Sequence, residues 1–287
     1  MCMKPAIAVL GGDLRQVYLS RLLEADGRHV MTWGLEKGGA PCAVPLHQAL
    51  EARVLVLPLP VCRDGALNLP LTDTRLETED LWPRLRTDQL LLGGMTGELP
   101  PRLREDFGLT LLDYYDREEL QAANALPTAE GAIALALELT DRTLCGSRCL
   151  VMGFGRIGKV LSDRLRALGA EVAVSARKYA DLAWVRAMGC APCRTDALSG
   201  ALGDYDLIFN TVPALVLDQR LLAETREDCV ILDLASAPGG VDFDAAARLG
   251  RRAQAAPGLP GKTAPRSAAA AVRESIYHIL EERGEYM

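Results

Sequence analysis

Short apolar runs alternate with amphipathic stretches along most of this chain. Lys4 to Leu10 reads as a buried strand, and Gly11-Gly12-Asp13 as the turn after it. Leu14, Val17, Tyr18 and Leu22 recur at helical spacing, which predicts a helix from Leu14 to Ala25, closed by Gly27. His29 to Trp33, Arg53 to Leu57, Leu90 to Leu92 and Leu109 to Leu112 are predicted as four more strands. Residues 61–80, with Asp, Asn, Pro and Thr, read as a long excursion and a candidate mobile or active-site loop. Pro127-Thr128-Ala129-Glu130 opens an Ala/Leu-rich helix to about Thr140, since proline suits a first helical turn. Strands are then expected at 148–152, 171–175, 206–210, 229–233 and 252–255, with helices at 156–168, 179–188, 218–223 and 242–249. Ala264-Pro265 starts a final amphipathic helix to about Arg283, expected to return to the first domain. Alternating strands and helices imply parallel sheets covered on both faces. The expected fold is α/β: two Rossmann-like, doubly wound parallel-sheet domains with a cleft between them. The first covers 1–126, completed by 264–287, and the second 127–263, with the helix opened by Pro127 as the bridge.

One segment carries more chemistry than the rest. The apolar run Cys149-Leu150-Val151-Met152 leads into Gly153-Phe154-Gly155-Arg156-Ile157-Gly158, a helical pattern follows, and a second apolar run, Glu171 to Val174, comes next. Strand, glycine turn, helix and strand form the context that the dinucleotide fingerprint G-x-G-x-x-G requires. Gly153 is expected to allow the tight turn, Gly155 to let the backbone approach a pyrophosphate, and Gly158 to let helix and strand pack closely. The helix N-terminus then offers free N–H groups to phosphate. An NAD site usually carries Asp or Glu at the end of the second strand. This chain has Ser175-Ala176-Arg177-Lys178 there. Two cations and a hydroxyl suit a 2′-phosphate, so NADP is expected over NAD.

In open α/β sheets, ligands bind beyond the carboxyl ends of the strands. The segments expected there are Gly11 to Gln16, Gly93 to Gly97, Asn210-Thr211-Val212-Pro213, Asp233 to Gly240 and Pro257 to Lys262. Asn210 to Pro213 is expected to touch cofactor, with a plain strand-end turn as the alternative. Asp233 and Ser236, with Ala235 between them, are candidates for the nicotinamide end, against a local Asx or Ser turn. Lys262 sits in a loop stiffened by Pro and Gly, as a carboxylate ligand, an acid or a solvated lysine. Arg15 is a carboxylate clamp or a surface arginine. Glu130 is a weak catalytic candidate, because the start of a helix favours a carboxylate in any case. His29, His47 and His278 have no partner pattern, and no catalytic histidine is assigned.

Bulk properties narrow the classes. Of 287 residues, 49% are hydrophobic and 24% charged, and the net charge is −6, so nothing suggests a basic nucleic-acid groove. No apolar run reaches a membrane span, and the start lacks the layout of a signal peptide, so a cytoplasmic location is expected. The eight cysteines (Cys2, Cys42, Cys62, Cys145, Cys149, Cys190, Cys193 and Cys229) are scattered and read as free thiols. Cys190-Ala191-Pro192-Cys193 lacks the two further ligands of a zinc site, and no metal is expected.

The segments Gly11 to Gln16, Asn124 to Gly131, Gly153 to Gly158, Asn210 to Pro213, Asp233 to Phe243 and Ala256 to Pro265 resemble the dipicolinate synthase A-subunit family. The resemblance spans nearly the whole chain and implies oxidation of a dihydrodipicolinate-type ring, formed from 4-hydroxy-tetrahydrodipicolinate, to dipicolinate. Hydride would pass to NADP, in the mother cell of a sporulating bacterium. It implies the flavoprotein-like B-subunit of dipicolinate synthase for a partner, with a homodimer inside the larger complex. Asp13, Arg15, Thr96, Asn124, Thr128 and Lys262 are then the substrate candidates, and Lys262 and, weakly, Glu130 the catalytic ones. The alternatives are another two-domain NAD(P)-dependent amino- or hydroxy-acid dehydrogenase and a non-enzymatic NADP(H)-binding regulator.

Overall fold

The structure is a computed structural model that describes residues 6–284. Cys2 and the predicted strand positions Lys4 and Pro5 lie outside the described residues. The chain divides into two compact units, one of 1–124 with 264–287 and one of 125–263.

The first unit runs β1 (Ile7–Leu10), α1 (Leu14–Ala25), β2 (Val30–Trp33), α2 (Leu46–Ala49), β3 (Val54–Val56), β4 (Cys62–Arg63), β5 (Ala66–Leu67), α3 (Thr78–Leu81), β6 (Leu90–Gly93), α4 (Leu99–Phe107) and β7 (Thr110–Asp113), and enters α5 (Glu118–Leu139). Its main sheet is parallel, in the order β2-β1-β3-β6-β7. Side chains of a strand alternate between faces. Ile7 and Val9 join one core cluster, while Ala8 and Leu10 join another on the opposite face. All four are fully buried, which is why the strand reads as one continuous apolar run.

The expected loop at 61–80 is instead ordered. Asp64 and Gly65, with φ of 49° and 78°, turn β4 back on β5 as a short antiparallel hairpin. Val61, Leu67, Leu76 and Leu81 fill the core cluster beneath it. Burial of these four apolar side chains pins a segment whose polar residues alone suggest mobility.

The second unit continues with β8 (Arg148–Met152), α6 (Arg156–Ala167), β9 (Glu171–Ala176), α7 (Tyr179–Ala187), β10 (Ala191–Arg194), β11 (Leu207–Asn210), α8 (Gln219–Glu224), β12 (Val230–Asp233), α9 (Phe243–Arg248), β13 (Arg252–Ala255) and α10 (Leu259–Thr263). Its sheet is parallel, in the order β10-β9-β8-β11-β12-β13. That is the dinucleotide-fold order, whose direction of winding reverses between the first and fourth strands, here β8 and β11. Cys149 and Val151 face one cluster, Leu150 and Met152 the other.

The last helix, α11 (Pro265–Glu282), belongs to the first unit. Val272, Ile276, Ile279 and Leu280 pack with Val17, Leu19 and Leu23 of α1. At its edge, Tyr277 Oη donates to Asp26 at 2.8 Å, and Arg273 reaches the same carboxylate at 3.3 Å.

The helix expected to open at Pro127 opens at Glu118, and Pro127 lies inside it. An interior proline removes one helical hydrogen bond and is normally expensive. Here Pro127, Thr128 and Ala129 are all buried, so packing holds the helix through the defect. Lys262, placed in a loop by the sequence, lies in the single turn of α10, where Leu259, Pro260 and Gly261 are buried.

Candidate functional site

The fingerprint geometry in the second unit follows from three different constraints on three glycines. Gly153 leaves β8 with φ +97°, a left-handed conformation that an L side chain rarely adopts. Gly158, in the first turn of α6, packs so tightly that an added Cβ would lie 2.1 Å from Gly153 O. Gly155 is the N-cap of α6, and a Cβ built there meets nothing within 4 Å. Its face is open, and no side chain caps the helix, so the first N–H groups of α6 are left for an anion. Phe154 is half-buried with Lys159 Nζ 5.2 Å from its ring centre, Ile157 packs on the core, and Arg156 is exposed.

The strand ends beside this turn are tied together. Thr211 donates to Met152 O through both N (2.9 Å) and Oγ1 (2.8 Å), which joins β11 to β8 where the sheet order reverses. Asn210, fully buried, donates from Nδ2 to Asp233 Oδ1 at 2.8 Å and to Val212 O at 3.0 Å, and accepts from Val212 N at 3.1 Å. Asp233 also accepts from Ala235 N at 3.1 Å and Gly240 N at 2.8 Å. Both side chains are committed to shaping the loops. The local-turn alternative therefore describes Asp233 better than a direct ligand role does. Pro213 and Ser236 are exposed, and Val212 and Ala235 half-buried.

At the end of β9, Arg177 and Lys178 are exposed and no carboxylate precedes them. Ser175 is different. It is fully buried within β9, with its Oγ accepting from Thr195 Oγ1 at 3.3 Å. The strand runs on to Ala176, so the hydroxyl expected at the surface lies inside the sheet.

The first unit presents its own strand-end cluster. Asp13 accepts from Arg15 N at 3.0 Å at the start of α1. Arg15, 9% exposed as a residue, donates from Nε and Nη2 to the two oxygens of Asp13, at 2.9 Å each, and from Nη2 to Leu59 O at 2.8 Å. The sheet order β2-β1-β3 places this cluster at the point where the winding reverses. Thr96, buried, donates from N (2.7 Å) and Oγ1 (3.0 Å) to Asp113 Oδ2. The preceding Met95 is 52% exposed at φ +55°, and its N donates to Asp113 Oδ1 at 3.3 Å. Gln16, on the turn after Arg15, is buried, and its Nε2 approaches Tyr114 Oη at 3.4 Å. Tyr114 is fully buried, and burial pushes its hydroxyl well above the ordinary tyrosine range. Neither Gln16 nor Tyr114 carries a motif that sequence reasoning singles out, apart from the place of Gln16 in the Gly11 to Gln16 segment.

The remaining candidates scatter. Asn124 and Thr128 lie along α5 and Thr128 is buried. Glu130 is exposed in the middle of α5, 3.9 Å from Arg164, so the helix-start argument for its carboxylate does not apply. Lys262 is exposed and lines a cavity of about 220 Å³ in the second unit with Glu138 and Gln254. Cys190 is buried, and burial raises its thiol. Burial also pushes Cys193 to about 11. Among the described residues no group of three or more His, Cys, Asp or Glu could hold a metal ion, and no helix is long and apolar enough to cross a membrane.

Two parallel α/β units, one carrying the dinucleotide fingerprint, define a protein of the two-domain dehydrogenase fold. A transhydrogenase from Sinorhizobium meliloti shares that fold at TM-score 0.72 and 16% identity, with 97% of this chain and 95% of that one covered. The family model of the dipicolinate synthase A-subunit N-terminal domain matches residues 6–115. The dipicolinate synthase A-subunit of Bacillus subtilis (strain 168) is 31% identical over 284 residues, 96% of each chain. The crystal structure of the dipicolinate synthase A-subunit from Bacillus halodurans superposes at TM-score 0.88 and 28% identity, covering 97% of this chain and 98% of that one. The chain belongs to the dipicolinate synthase A-subunit family.

Proposed function

We propose that this chain is the dehydrogenase component of a dipicolinate synthase, oxidising a dihydrodipicolinate-type ring, from 4-hydroxy-tetrahydrodipicolinate, to dipicolinate with NADP. The observation that carries the reading is the open N-terminus of α6 behind Gly153 and Gly158, in a chain of this family. The residues that would hold the dinucleotide are Gly153 to Gly158 at the pyrophosphate, Arg177 and Lys178 at the 2′-phosphate, and the loops shaped by Asn210 and Asp233. NADP supplies one piece of chemistry, an acceptor for hydride. The 4-hydroxy-tetrahydro ring first loses water to give the dihydro ring, and oxidation then takes a hydride from one ring carbon and releases a proton from its neighbour. The ring becomes aromatic, which drives the step, so the protein's main task is positioning.

The first unit offers a carboxylate ligand of its own, Arg15. Asp13 and Leu59 hold its Nε and Nη2, which fixes the guanidinium plane and leaves Nη1 for a substrate carboxylate. The Arg15–Asp13 pair is formally neutral, so this cluster orients a dicarboxylate more than it attracts one. Lys262, exposed on α10 of the second unit, is proposed in its own right as a carboxylate ligand. Thr96 Oγ1 spends its proton on Asp113 and can only accept from a ligand. The reading includes the B-subunit for a partner, a homodimer within the complex, and work in the cytoplasm of a sporulating mother cell.

The test is absorbance at the reduced-nicotinamide band. Purified chain, with and without a candidate B-subunit, is mixed with NADP or NAD and freshly generated 4-hydroxy-tetrahydrodipicolinate. Cofactor reduction with stoichiometric dipicolinate is expected, faster with NADP. Tight NADP binding without reduction under every combination would overturn the enzymatic reading in favour of a regulator.

A further inference from the structure

β9 and β10 run side by side, with Cys193 opposite Ser175 and Arg194 opposite Ala176. Both strands end at this level, so the residues that follow them share one rim. Arg177, Lys178 and Tyr179 come from β9, and Thr195 and Asp196 follow Arg194 of β10. The Thr195–Ser175 hydroxyl bond ties the two ends together. Tyr179 is 75% exposed, and the guanidinium of Arg194 lies over its ring, 5.0 Å from the centre. Arg194 donates from Nε to Asp196 Oδ1 at 2.8 Å and from Nη2 to Asp196 Oδ2, a bidentate fork.

None of this serves the core. The aromatic ring faces outward, and the Arg194 and Asp196 side chains are 35% and 62% exposed. An exposed guanidinium–carboxylate pair gains little in water, so it exchanges readily for a better acceptor. A phosphate monoester is such an acceptor, with up to two negative charges and three oxygens for the same planar fork. A ribose hydroxyl is not, because it is neutral and offers a single oxygen.

We propose that Arg194, steadied by Tyr179 and occupied by Asp196, is a selectivity element for the adenosine end of the dinucleotide, with Asp196 as a built-in competitor that only a 2′-phosphate displaces. The inference rests on the reading of the second unit as an NADP site. It adds that discrimination against NAD is set by β10 as well as β9, and that Asp196 tempers the preference. Removing the competitor should tighten binding of a 2′-phosphate, and removing the fork should loosen it. Neither change should alter a nucleotide that lacks the 2′-phosphate.

Isothermal titration of the full chain with 2′,5′-ADP and with 5′-ADP tests this without substrate or a partner protein. Wild type is expected to bind 2′,5′-ADP at least about tenfold more tightly than 5′-ADP. Asp196→Asn is expected to bind 2′,5′-ADP about three- to tenfold more tightly than wild type does. Arg194→Ala should weaken it about tenfold, and Arg194→Lys should recover only part of that loss, because the charge returns without the fork. Affinity for 5′-ADP should stay within about twofold throughout. Equal losses for both nucleotides in Arg194→Ala would make Arg194 a general adenosine contact and overturn the proposal. So would wild-type affinities in Arg194→Ala and Asp196→Asn alongside a retained preference for 2′,5′-ADP, an outcome that leaves the NADP reading intact. A wild-type chain with no preference would remove the NADP reading and this element with it.

Discussion

Substituting the second and third fingerprint glycines one at a time separates the folding role of the turn from its binding role. A methyl group on Gly158 would sit 2.1 Å from Gly153 O and 3.0 Å from its carbon, so the backbone of α6 must move away from β8 by about an ångström. Overpacking of this kind costs about 1–3 kcal/mol, and alanine's better helix propensity returns at most about 1 kcal/mol. Gly158→Ala should therefore destabilise by about 1–2 kcal/mol, a fall of about 3–8 °C in Tm for a domain of this size. Gly155→Ala makes no contact within 4 Å, and the backbone there (φ −82°, ψ −164°) is open to any residue. Its only intrinsic cost is a poorer N-cap, under about 1 kcal/mol. Its methyl would nevertheless stand where a pyrophosphate must approach the helix, so NADP affinity should drop at least about tenfold, or about 1.4 kcal/mol. Thermal melts and titration calorimetry on the two variants read the two effects apart. A Gly155→Ala chain that binds NADP like wild type, or a Gly158→Ala chain with wild-type Tm, would refute the assignment of roles.

Three further outcomes follow from other parts of the molecule. Met95→Gly should stabilise the chain by about 0.5–1 kcal/mol in urea unfolding, because glycine relieves the left-handed backbone and a half-exposed side chain loses little packing; a loss of stability would mean the thioether has a structural contact. Asp233→Ala orphans the Ala235 and Gly240 N–H groups and breaks the bond to Asn210, and should cost about 3 kcal/mol in the same assay; a neutral result would show that the loops do not depend on it. Burial works to raise the Asp206 carboxyl, but the Arg148 N–H, the Arg226 side chain and the charges of Arg226 and Arg142 outweigh it and hold the group below its usual range. A lowered folded-state value stabilises the protein above the unfolded value and is lost as pH falls through the folded one. The stability gap between wild type and Asp206→Asn should thus be full at pH 7 and shrink below about pH 4, and a gap that stays constant as pH falls through the acid range would exclude the mechanism.

Most of the architecture was legible because the inner strands of both sheets are buried on two faces and therefore stand out as unbroken apolar runs. What escaped the sequence reading is mostly marked by proline or glycine. Leu99–Phe107 carries Pro100 and Pro101, which look like helix breakers but sit in a first turn, where the missing N–H has no partner to lose. Pro192 hides β10, an edge strand of its sheet that tolerates it. The hairpin at Asp64-Gly65 did leave a signal, since Asp-Gly between short apolar stretches is a preferred tight turn. Within the site, the three glycines and the exposed Arg177 and Lys178 are where their pattern places them. The fates of Ser175, Asp233 and Arg15 were not readable. Whether a polar side chain meets a ligand or its own backbone depends on neighbours such as Thr195, Gly240 and Leu59, which the fold brings in from far along the chain.

The return of α11 to the first unit bears on the order in which the molecule can be built. Asp26 and its partner Arg273 are 247 positions apart, and the whole second unit is synthesised between them. During that interval the helix-bearing face of the first sheet lacks Val272, Ile276, Ile279 and Leu280, and Val17, Leu19 and Leu23 stay uncovered. The second unit is a single continuous segment and can close its core on the ribosome as it emerges. The unit begun first is therefore finished last. While it waits, its unfinished face is the surface on which a chaperone would act, and fragment 1–124 expressed alone should aggregate where 125–263 stays in solution.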